Sequence, residues 1–188
     1  MMINFLRLLP VTLVLTPTLV NQGNDFLRQN AMKQLQETGR CFSCNLSGVN
    51  FSGANLQGFD LRSTDLQGAN LKNANLRYAN LQWADLRNVN LQGADLTGAN
   101  LSFSLLVNAN LQGANLEASN LKMTDLRNSN FSYANLIKAS ISQDLLNSRS
   151  VNLCRTILPN GTMMSGRCNN RPVRKLQSQR VQSFETKL

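Results

Sequence analysis

Every fifth residue between Leu46 and Ile141 is large and apolar, and this period constrains the fold more than any other feature of the sequence. The column is Leu throughout, except at Phe51, Phe131 and Ile141. The residue before each is Asn or Asp in every unit but two, which have Leu105 and Ser140. The residue two before is most often Ala and mostly small in the other units. Such a period fits neither a helix, at about 3.6 residues, nor a plain strand, at about 2.

The alternation inside one unit indicates how the chain runs. In Ala69-Asn70-Leu71 the outer two side chains can point one way and Asn the other, as in a short strand. The next two residues, Lys72-Asn73, can then turn a corner, and Gly fills the last position in seven units. Repetition coils the chain around stacked Leu and Ala, with coils paired like parallel strands about 4.8 Å apart. A long Leu-rich helix is excluded because it would expose apolar residues on every side.

The tandem unit A-[DN]-L-x-x resembles the pentapeptide-repeat family over roughly residues 42–146. The resemblance implies an all-β fold, a right-handed, four-sided (quadrilateral) parallel β-helix with about 20 residues per coil. It also implies that the central Leu and the Ala two before it point inward. Residues one coil apart should therefore stack on one face, and we expect this solenoid over residues 41–150.

The segments around the solenoid have their own expected structures. Residues 24–40 are predicted to form a capping helix that starts at Asn24-Asp25 and ends at Gly39. An open solenoid end exposes core and strand edge, so a cap is expected there. The apolar side of this helix is predicted to contain Phe26, Leu27, Ala31 and Leu35. Residues 151–168 are expected to form a disulfide-closed C-terminal cap, and residues 169–188 a basic disordered tail.

Residues 1–23 read as a targeting segment. An apolar stretch from Leu8 to Val20, broken by Pro10 and Pro17, has the length of a signal-peptide core and is shorter than a membrane span. We therefore expect export to the periplasm or the thylakoid lumen, between which the sequence does not distinguish. No Ala-x-Ala cleavage site follows, so a membrane tether through an uncleaved segment stays an alternative.

Composition argues against an enzyme. The chain has no His, which removes the usual general base near neutral pH and the commonest metal ligand. It also removes Ser-His and Cys-His nucleophile pairs. No cofactor motif is present, so we predict no catalytic, cofactor-binding or metal-binding residues.

The net charge of +9 lies mostly at the C-terminal end. Residues 41–150 have 8 Lys or Arg against 7 Asp or Glu, whereas residues 151–188 have 7 against 1. The basic tail could bind anionic lipid or an acidic protein, or be simply solvated. It lacks aromatic residues interleaved for stacking on bases, so no nucleic-acid partner is expected.

Two close pairs of cysteines flank the repeats. An even number in an exported chain suggests disulfides, although CxxC also occurs in redox dithiols and in half zinc sites. With the coil length that the family resemblance supplies, Cys41 and Cys154 lie about 27 Å apart along the axis. That distance is too long for one disulfide or one shared metal ion. We predict local structural pairing, Cys41 with Cys44 and Cys154 with Cys168. The flanks CFSCNLSGVNF and CRTILPNGTMMSGRC resemble exported cyanobacterial and plant thylakoid-lumen members of the family.

The Asn and Asp column could be taken for a calcium row. Four-fold stacking instead predicts structural rows of side-chain hydrogen bonds. One face would hold Asn50, Asn70, Asn90, Asn110 and Asn130. Another would hold Asp65, Asp85 and Asp125, interrupted by Leu105, with Arg87 and Arg127 nearby.

One group of apolar residues stands out from the polar surface. Leu105 and Val107 occupy outward positions where neighbouring units have Asp and Arg. Trp83, Phe103 and Met123 recur at the corner position, one in each successive coil, and should stack in a line. We call these five residues the apolar strip. Such a feature often marks a contact site, and the alternative is that it only covers corner backbone or faces the tail.

We therefore expect a non-catalytic structural or protein-interaction scaffold whose protein partner is unknown, with a homodimer among the candidates. The rival function is DNA mimicry, because some family members inhibit DNA gyrase by resembling duplex DNA. Mimicry needs a strongly acidic rod, whereas residues 41–150 sum to +1. A third alternative is membrane-surface binding through the N-terminal segment or the basic tail.

Overall fold

The computed structural model describes residues 22–165 and residue 168. It contains two helices, α1 (Gln22–Thr38) and α2 (Gln143–Asn147). Between them the chain forms single-residue parallel β-bridges, each joining a residue to its counterpart one coil later, from Arg40↔Asp60 to Asn120↔Ser140. Because a bridge falls at every fifth residue, each coil has four bridge positions. The predicted targeting segment, apart from its last two residues, and the predicted basic tail lie outside the described residues.

Every backbone N–H of a typical repeat has an acceptor, and this bonding explains the five-residue unit. The N–H groups of the Leu, the corner residue and the Asn bond to carbonyls of neighbouring coils, and the Ala N–H closes a turn by bonding to the carbonyl of the Leu three residues before it. The N–H that follows the Leu bonds to the Asn or Asp side chain instead. For the five consecutive residues Leu71–Asn75 the bonds are Leu71 N to Asn90 O, 2.7 Å; Lys72 N to Asn70 Oδ1, 3.2 Å; Asn73 N to Gln92 O, 2.9 Å; Ala74 N to Leu71 O, 3.0 Å; and Asn75 N to Ala54 O, 2.9 Å. Buried backbone groups must find partners, so this complete pairing lets the coil close.

The inward columns form the core. The column of large residues is buried from Leu46 to Leu136, and the Ala column is buried from Ala54 to Ala139 except for the half-buried Phe59. This confirms that both columns point inward. Hydroxyl residues replace Ala at several places, and each donates to a backbone carbonyl, as in Ser104 to Leu101, 2.7 Å, and Thr124 to Leu121, 2.8 Å. Their burial therefore leaves no hydroxyl without a partner in these described units.

The corner residue that ends each unit has a left-handed backbone. Its φ is +66° at Gly93 and Gly98, and glycine adopts such a φ without steric penalty. Asn is the next natural occupant, as at Asn73 and Asn88. At Gly98 the missing side chain is also needed for packing, because an added Cβ would lie 2.6 Å from ring carbons of Tyr78. Side chains larger than Asn at this position therefore need a separate explanation.

Helix α1 occupies Gln22–Thr38, compared with the predicted segment 24–40. Gly39 follows it with φ +65°, and the Gly39 N–H donates to the Leu35 carbonyl at 2.9 Å. This is the left-handed glycine stop that terminates many helices.

Only part of the predicted apolar side of α1 is buried. Ala31 and Leu35 pack in the core, whereas Phe26 and Leu27 are 63% and 62% exposed. The helix has 17 residues and is therefore about 25 Å long, and the side chains from Phe26 onward that reach the core lie in its C-terminal half.

The solenoid continues past the predicted boundary at residue 150. Helix α2 lengthens the last coil by two residues, after which the bridges resume, as in Asn130↔Asn152. The chain then turns back, and Ile157 pairs antiparallel with Met163. Leu158 N–H donates to the Thr162 carbonyl at 2.7 Å within this hairpin. The hairpin thus pairs with the last strand edge of the described solenoid.

Candidate functional site

The apolar strip begins with two stacked aromatic rings. The centroids of Trp83 and Phe103 lie 4.2 Å apart and their planes differ by 11°. Trp83 is 57% exposed and Phe103 is 38% exposed. Met123, at the corresponding corner one coil on, is 73% exposed. The structure therefore brings the two rings together and leaves a large part of their surface in solvent.

These three residues occupy left-handed corners. Their φ angles are +64° at Trp83, +61° at Phe103 and +58° at Met123. The left-handed conformation costs a residue with a Cβ roughly 1–2 kcal/mol, which glycine avoids. Since seven other corners use Gly, the solenoid does not need aromatic residues here. Tyr78, Tyr133 and Lys138 have the same corner backbone, so it is the exposed ring stack that distinguishes Trp83 and Phe103.

Leu105 and Val107 lie on the face next to that corner. Leu105 forms bridges to Asp85 and to Asp125, so the three occupy the same position in successive coils. Leu105 is 40% exposed and Val107 is half-buried. The predicted outward orientation of both residues is therefore seen, while their role stays a prediction.

Leu105 also removes a hydrogen bond that the other units have. From Asn45 to Asn135, all bridge residues except Leu105 accept the backbone N–H two positions later through their side-chain oxygen, as Asn110 does from Gln112 at 3.2 Å. Leu105 has no side-chain oxygen, so within the described residues the Val107 N–H lacks this acceptor. Sequence reasoning missed this consequence, although the exception in the Asn and Asp column was its signal.

Ion pairs flank the two apolar side chains on the same face. Arg87 Nε donates to Asp85 Oδ1 at 2.8 Å, and Arg127 Nη2 donates to Asp125 Oδ2 at 2.6 Å. The hydrogen bond from each arginine lowers the pKa of its carboxyl, against the raising effect of burial. Both carboxylates are therefore ionised and charge-paired near neutral pH.

Acidic side chains elsewhere on the solenoid are paired in the same way. Arg62 Nη2 donates to Asp60 Oδ2 at 2.7 Å, and Arg77 Nη1 donates to Asp95 Oδ2 at 3.1 Å. Burial raises the pKa of Asp95, but hydrogen bonds from Thr97 and Arg77 outweigh it and lower the pKa overall. These arginines offset the carboxylates and oppose an acidic, DNA-like surface.

The Asn column forms ladders, as predicted. Asn amides donate to the side-chain oxygen of the Asn one coil earlier, for example Asn70 to Asn50 at 3.0 Å and Asn90 to Asn70 at 3.3 Å. The same oxygens accept the backbone N–H two residues on. Their acceptor capacity is therefore used within the fold. In the described part of the chain, no group of three His, Cys, Asp or Glu residues could hold a metal ion.

Both disulfides have the predicted local connectivity. Cys41 is bonded to Cys44, and Cys154 to Cys168. Cys41 is buried in the column that Leu fills elsewhere, and its Sγ lies 3.5 Å from the Ala31 carbonyl of α1. This disulfide therefore replaces a Leu and Ala pair of the core beside the helix.

Neither helix within residues 22–165 has the length and apolarity that crossing a membrane requires.

Comparison with known proteins identifies the repeat. The sequence profile of pentapeptide repeats matches eight copies, in overlapping segments 44–77, 64–102, 74–113 and 109–143. A pentapeptide repeat protein from the Arabidopsis thaliana thylakoid lumen is 34% identical, with a TM-score of 0.54 over 60% of this chain and 75% of that one. One from the cyanobacterium Cyanothece 51142 is 29% identical, with a TM-score of 0.34 over 61% and 91%.

A third solved structure is more distant. QnrB1, a plasmid-mediated fluoroquinolone resistance protein, is 23% identical, with a TM-score of 0.42 over 63% of this chain and 61% of that one. No curated protein sequence matches the chain significantly.

Proposed function

The chain belongs to the pentapeptide-repeat family and folds as a right-handed β-helix, and from this premise we propose that it is an exported, non-catalytic scaffold that contacts another protein through its apolar strip. The observation that carries the proposal is the exposed stack of Trp83 on Phe103. Both rings occupy corners where glycine would be the least strained residue. Large aromatic side chains on a polar surface are the usual anchors of protein contacts.

The scaffold is four-sided, with a cap at each end. Four bridge positions per coil, each followed by a left-handed corner, support four flat sides. The buried contacts of Ala31 and Leu35 support a capping role for α1. The antiparallel pairing of Ile157 with Met163 supports a cap at the other end.

Export is supported by the two disulfides, because such bonds persist in oxidising compartments. It is also supported by likeness to a protein of the plant thylakoid lumen. A scaffold role without catalysis is supported by the absence of His from the chain and by the pairing of Asp60, Asp85, Asp95 and Asp125 with arginines.

Site-resolved photo-crosslinking in the native compartment tests the strip as the contact surface. A benzoylphenylalanine replaces Val107 in one variant and Gln112, at the same position of the next unit, in a matched control. We expect protein adducts at position 107 at least tenfold above those at position 112. Combining Trp83→Ala with Phe103→Ala should lower the adduct yield at position 107 at least tenfold while circular dichroism stays unchanged, and tenfold corresponds to about 1.4 kcal/mol in binding.

Three results would contradict this proposal. Equal adduct yields at the two positions would mean that the strip is not a preferred contact. An adduct between position 107 and the chain's own residues 169–188 would mean that the strip is covered from within. Unfolding of the double alanine variant would assign the rings to packing.

A further inference from the structure

The face that holds Leu105 has an unusual pattern of outward pairs. Each unit presents two outward side chains, its bridge residue and the residue two later. We call the five units in this position the strip face, and their pairs are Asn45 and Ser47, Asp65 and Gln67, Asp85 and Arg87, Leu105 and Val107, Asp125 and Arg127. In the charged pairs the acid always comes first and the base second. In the coil between them both members are apolar.

We propose that the occupant of the apolar strip is a second copy of this chain, docked strip face to strip face about a two-fold axis parallel to the solenoid axis. The inference rests on the proposed function of the strip as a contact surface. It adds the identity of the partner and its orientation.

The order of the pairs makes the strip face complementary to itself. A two-fold axis along the solenoid keeps each coil at its own height and reverses direction across the face. Asp85 then faces Arg87 of the partner subunit, and Asp125 faces Arg127 of the partner subunit. In the coil between them, Leu105 faces Val107 of the partner subunit. Charge thus meets opposite charge above and below a mutual apolar contact.

The opposite orientation is disfavoured by the same residues. A two-fold axis perpendicular to the solenoid, at the height of Leu105, would place the coil of Asp85 against the coil of Asp125 without reversing direction across the face. Asp85 would then face Asp125 of the partner subunit, and Arg87 would face Arg127 of the partner subunit. Juxtaposed like charges oppose association, so the charges select the parallel arrangement.

The apolar pair is confined to this face among the described units. From Asn45 to Asn135, no other unit has an apolar residue at both outward positions. The strip face spans five coils, about 19 Å, and is one strand wide, so the contact falls in the small, weak class of interfaces. We therefore expect a reversible dimer with a Kd in the micromolar range or weaker.

Complementary charge variants test the partner. Arg87→Glu with Arg127→Glu makes the strip face acidic. Asp85→Asn with Asp125→Asn makes it basic, while Asn keeps an acceptor for the N–H two residues on. Sedimentation velocity up to about 1 mM should show association of each variant at least tenfold weaker than wild type. An equimolar mixture should associate more tightly than either variant alone.

Arg62→Glu is the matched control, because Asp60 and Arg62 form the same kind of pair on another face. It should leave association unchanged. An equal loss in this control would overturn the assignment to the strip face.

Distances between spin labels test the orientation. A spin-labelled residue at Ser47 lies on the strip face, three coils from Val107. The parallel dimer places the two labels at the same height, within about 20 Å. The antiparallel alternative separates them by six coil spacings, about 29 Å along the axis. A measured separation of about 29 Å or more would overturn the proposed two-fold.

Failure of the dimer and failure of the contact surface give different results. A wild-type protein that stays monomeric at about 1 mM, while position 107 still forms adducts with another protein, overturns the second-copy inference alone. Loss of selective crosslinking at position 107 as well overturns the contact surface itself.

Discussion

The side-chain oxygens of the Asn and Asp column complete the hydrogen bonding of the main chain in this fold. Each accepts the N–H two residues later, as Asn70 does from Lys72 at 3.2 Å. No backbone carbonyl accepts that N–H in the described repeats. The column is therefore Asn or Asp because the short side chain reaches back to this donor.

Leu105→Asn should stabilise the protein while weakening its contacts. The substitution supplies the acceptor that the Val107 N–H lacks, and a hydrogen bond of this kind contributes about 1 kcal/mol. Asn110→Leu removes the same bond from the next unit, together with the side-chain amide bonds to Asn90 and Asn130, and should destabilise by more than this amount. Denaturant midpoints measure both changes. Opposite signs are expected, and a lower midpoint for Leu105→Asn would contradict the role given to this oxygen.

Acid should weaken the fold through its paired carboxylates. Hydrogen bonds from arginines lower the folded-state pKa values of Asp60, Asp85 and Asp125 below the usual aspartate value of about 3.9. Their contribution is fully present above that value and is lost as pH falls through the lower folded pKa values. Melting temperatures should therefore drop between about pH 5 and pH 2.

The matched test replaces the three aspartates with Asn, which keeps the acceptor for the following backbone N–H. The triple variant should lose less stability than wild type on acidification. Parallel melting curves for the two proteins across that range would show that these ion pairs do not contribute.

Some side-chain contacts could be predicted from the sequence, and others could not. The Asn ladders followed from stacking at intervals of one coil, because identical amides in adjacent coils can bond to each other. The missing acceptor at Val107 required knowing which N–H the Asn oxygen serves. The arginine partner of Asp95 could not be identified from the neighbouring sequence either, because Arg77 belongs to the previous coil.

At the scale of the coil, packing leaves no room for larger inward residues. Ala94 is fully buried in a central coil. Ala94→Leu should therefore destabilise by about 1–3 kcal/mol, through overpacking. Ala118→Leu is the control, since Ala118 is an exposed corner residue and should tolerate the change. Equal denaturation midpoints for the two variants would show that Ala94 is not confined by the core.

The disulfides should be present in the mature protein. Non-reducing peptide mass spectrometry is expected to find Cys41 linked to Cys44 and Cys154 linked to Cys168. Replacing the second pair with Ser should destabilise by about 3 kcal/mol because it closes the longer loop, and replacing the first pair by about 2 kcal/mol. A Cys41–Cys154 link within one chain would contradict the coil length as well as the pairing.

The ends were less predictable than the repeats. Apolar periodicity placed Phe26 and Leu27 on the same side as Ala31 and Leu35, but it cannot say how much of a helix reaches the core. The two extra residues at α2 break the five-residue register, so the return of Asn152 to the bridge position was not apparent from the period.

For the whole molecule, the proposal of export predicts where the mature chain begins. N-terminal sequencing of the native protein checks this prediction. If the segment before α1 directs export, the mature chain should begin close to Gln22, and a reporter fused to the full chain should be found in the exported fraction. A fusion lacking residues 1–21 should stay inside and be reduced at its cysteines. Recovery of the full chain from an internal, reducing compartment would contradict export.

The coils between α1 and the stacked rings all have 20 residues, so the molecule can serve as a spacer whose length changes by whole coils. Each coil satisfies its hydrogen bonds with the coils before and after it, so one whole coil can be inserted or deleted without altering the contacts at either end. The distance from α1 to the stacked rings can therefore change only in steps of about 4.8 Å. For a partner that binds both an end and the rings, each added coil would lengthen the distance between its two binding points by one such step. Duplication of one coil between Leu46 and Trp83 would move the two binding points apart by about 4.8 Å, and the rings would still lie on the same side of the solenoid.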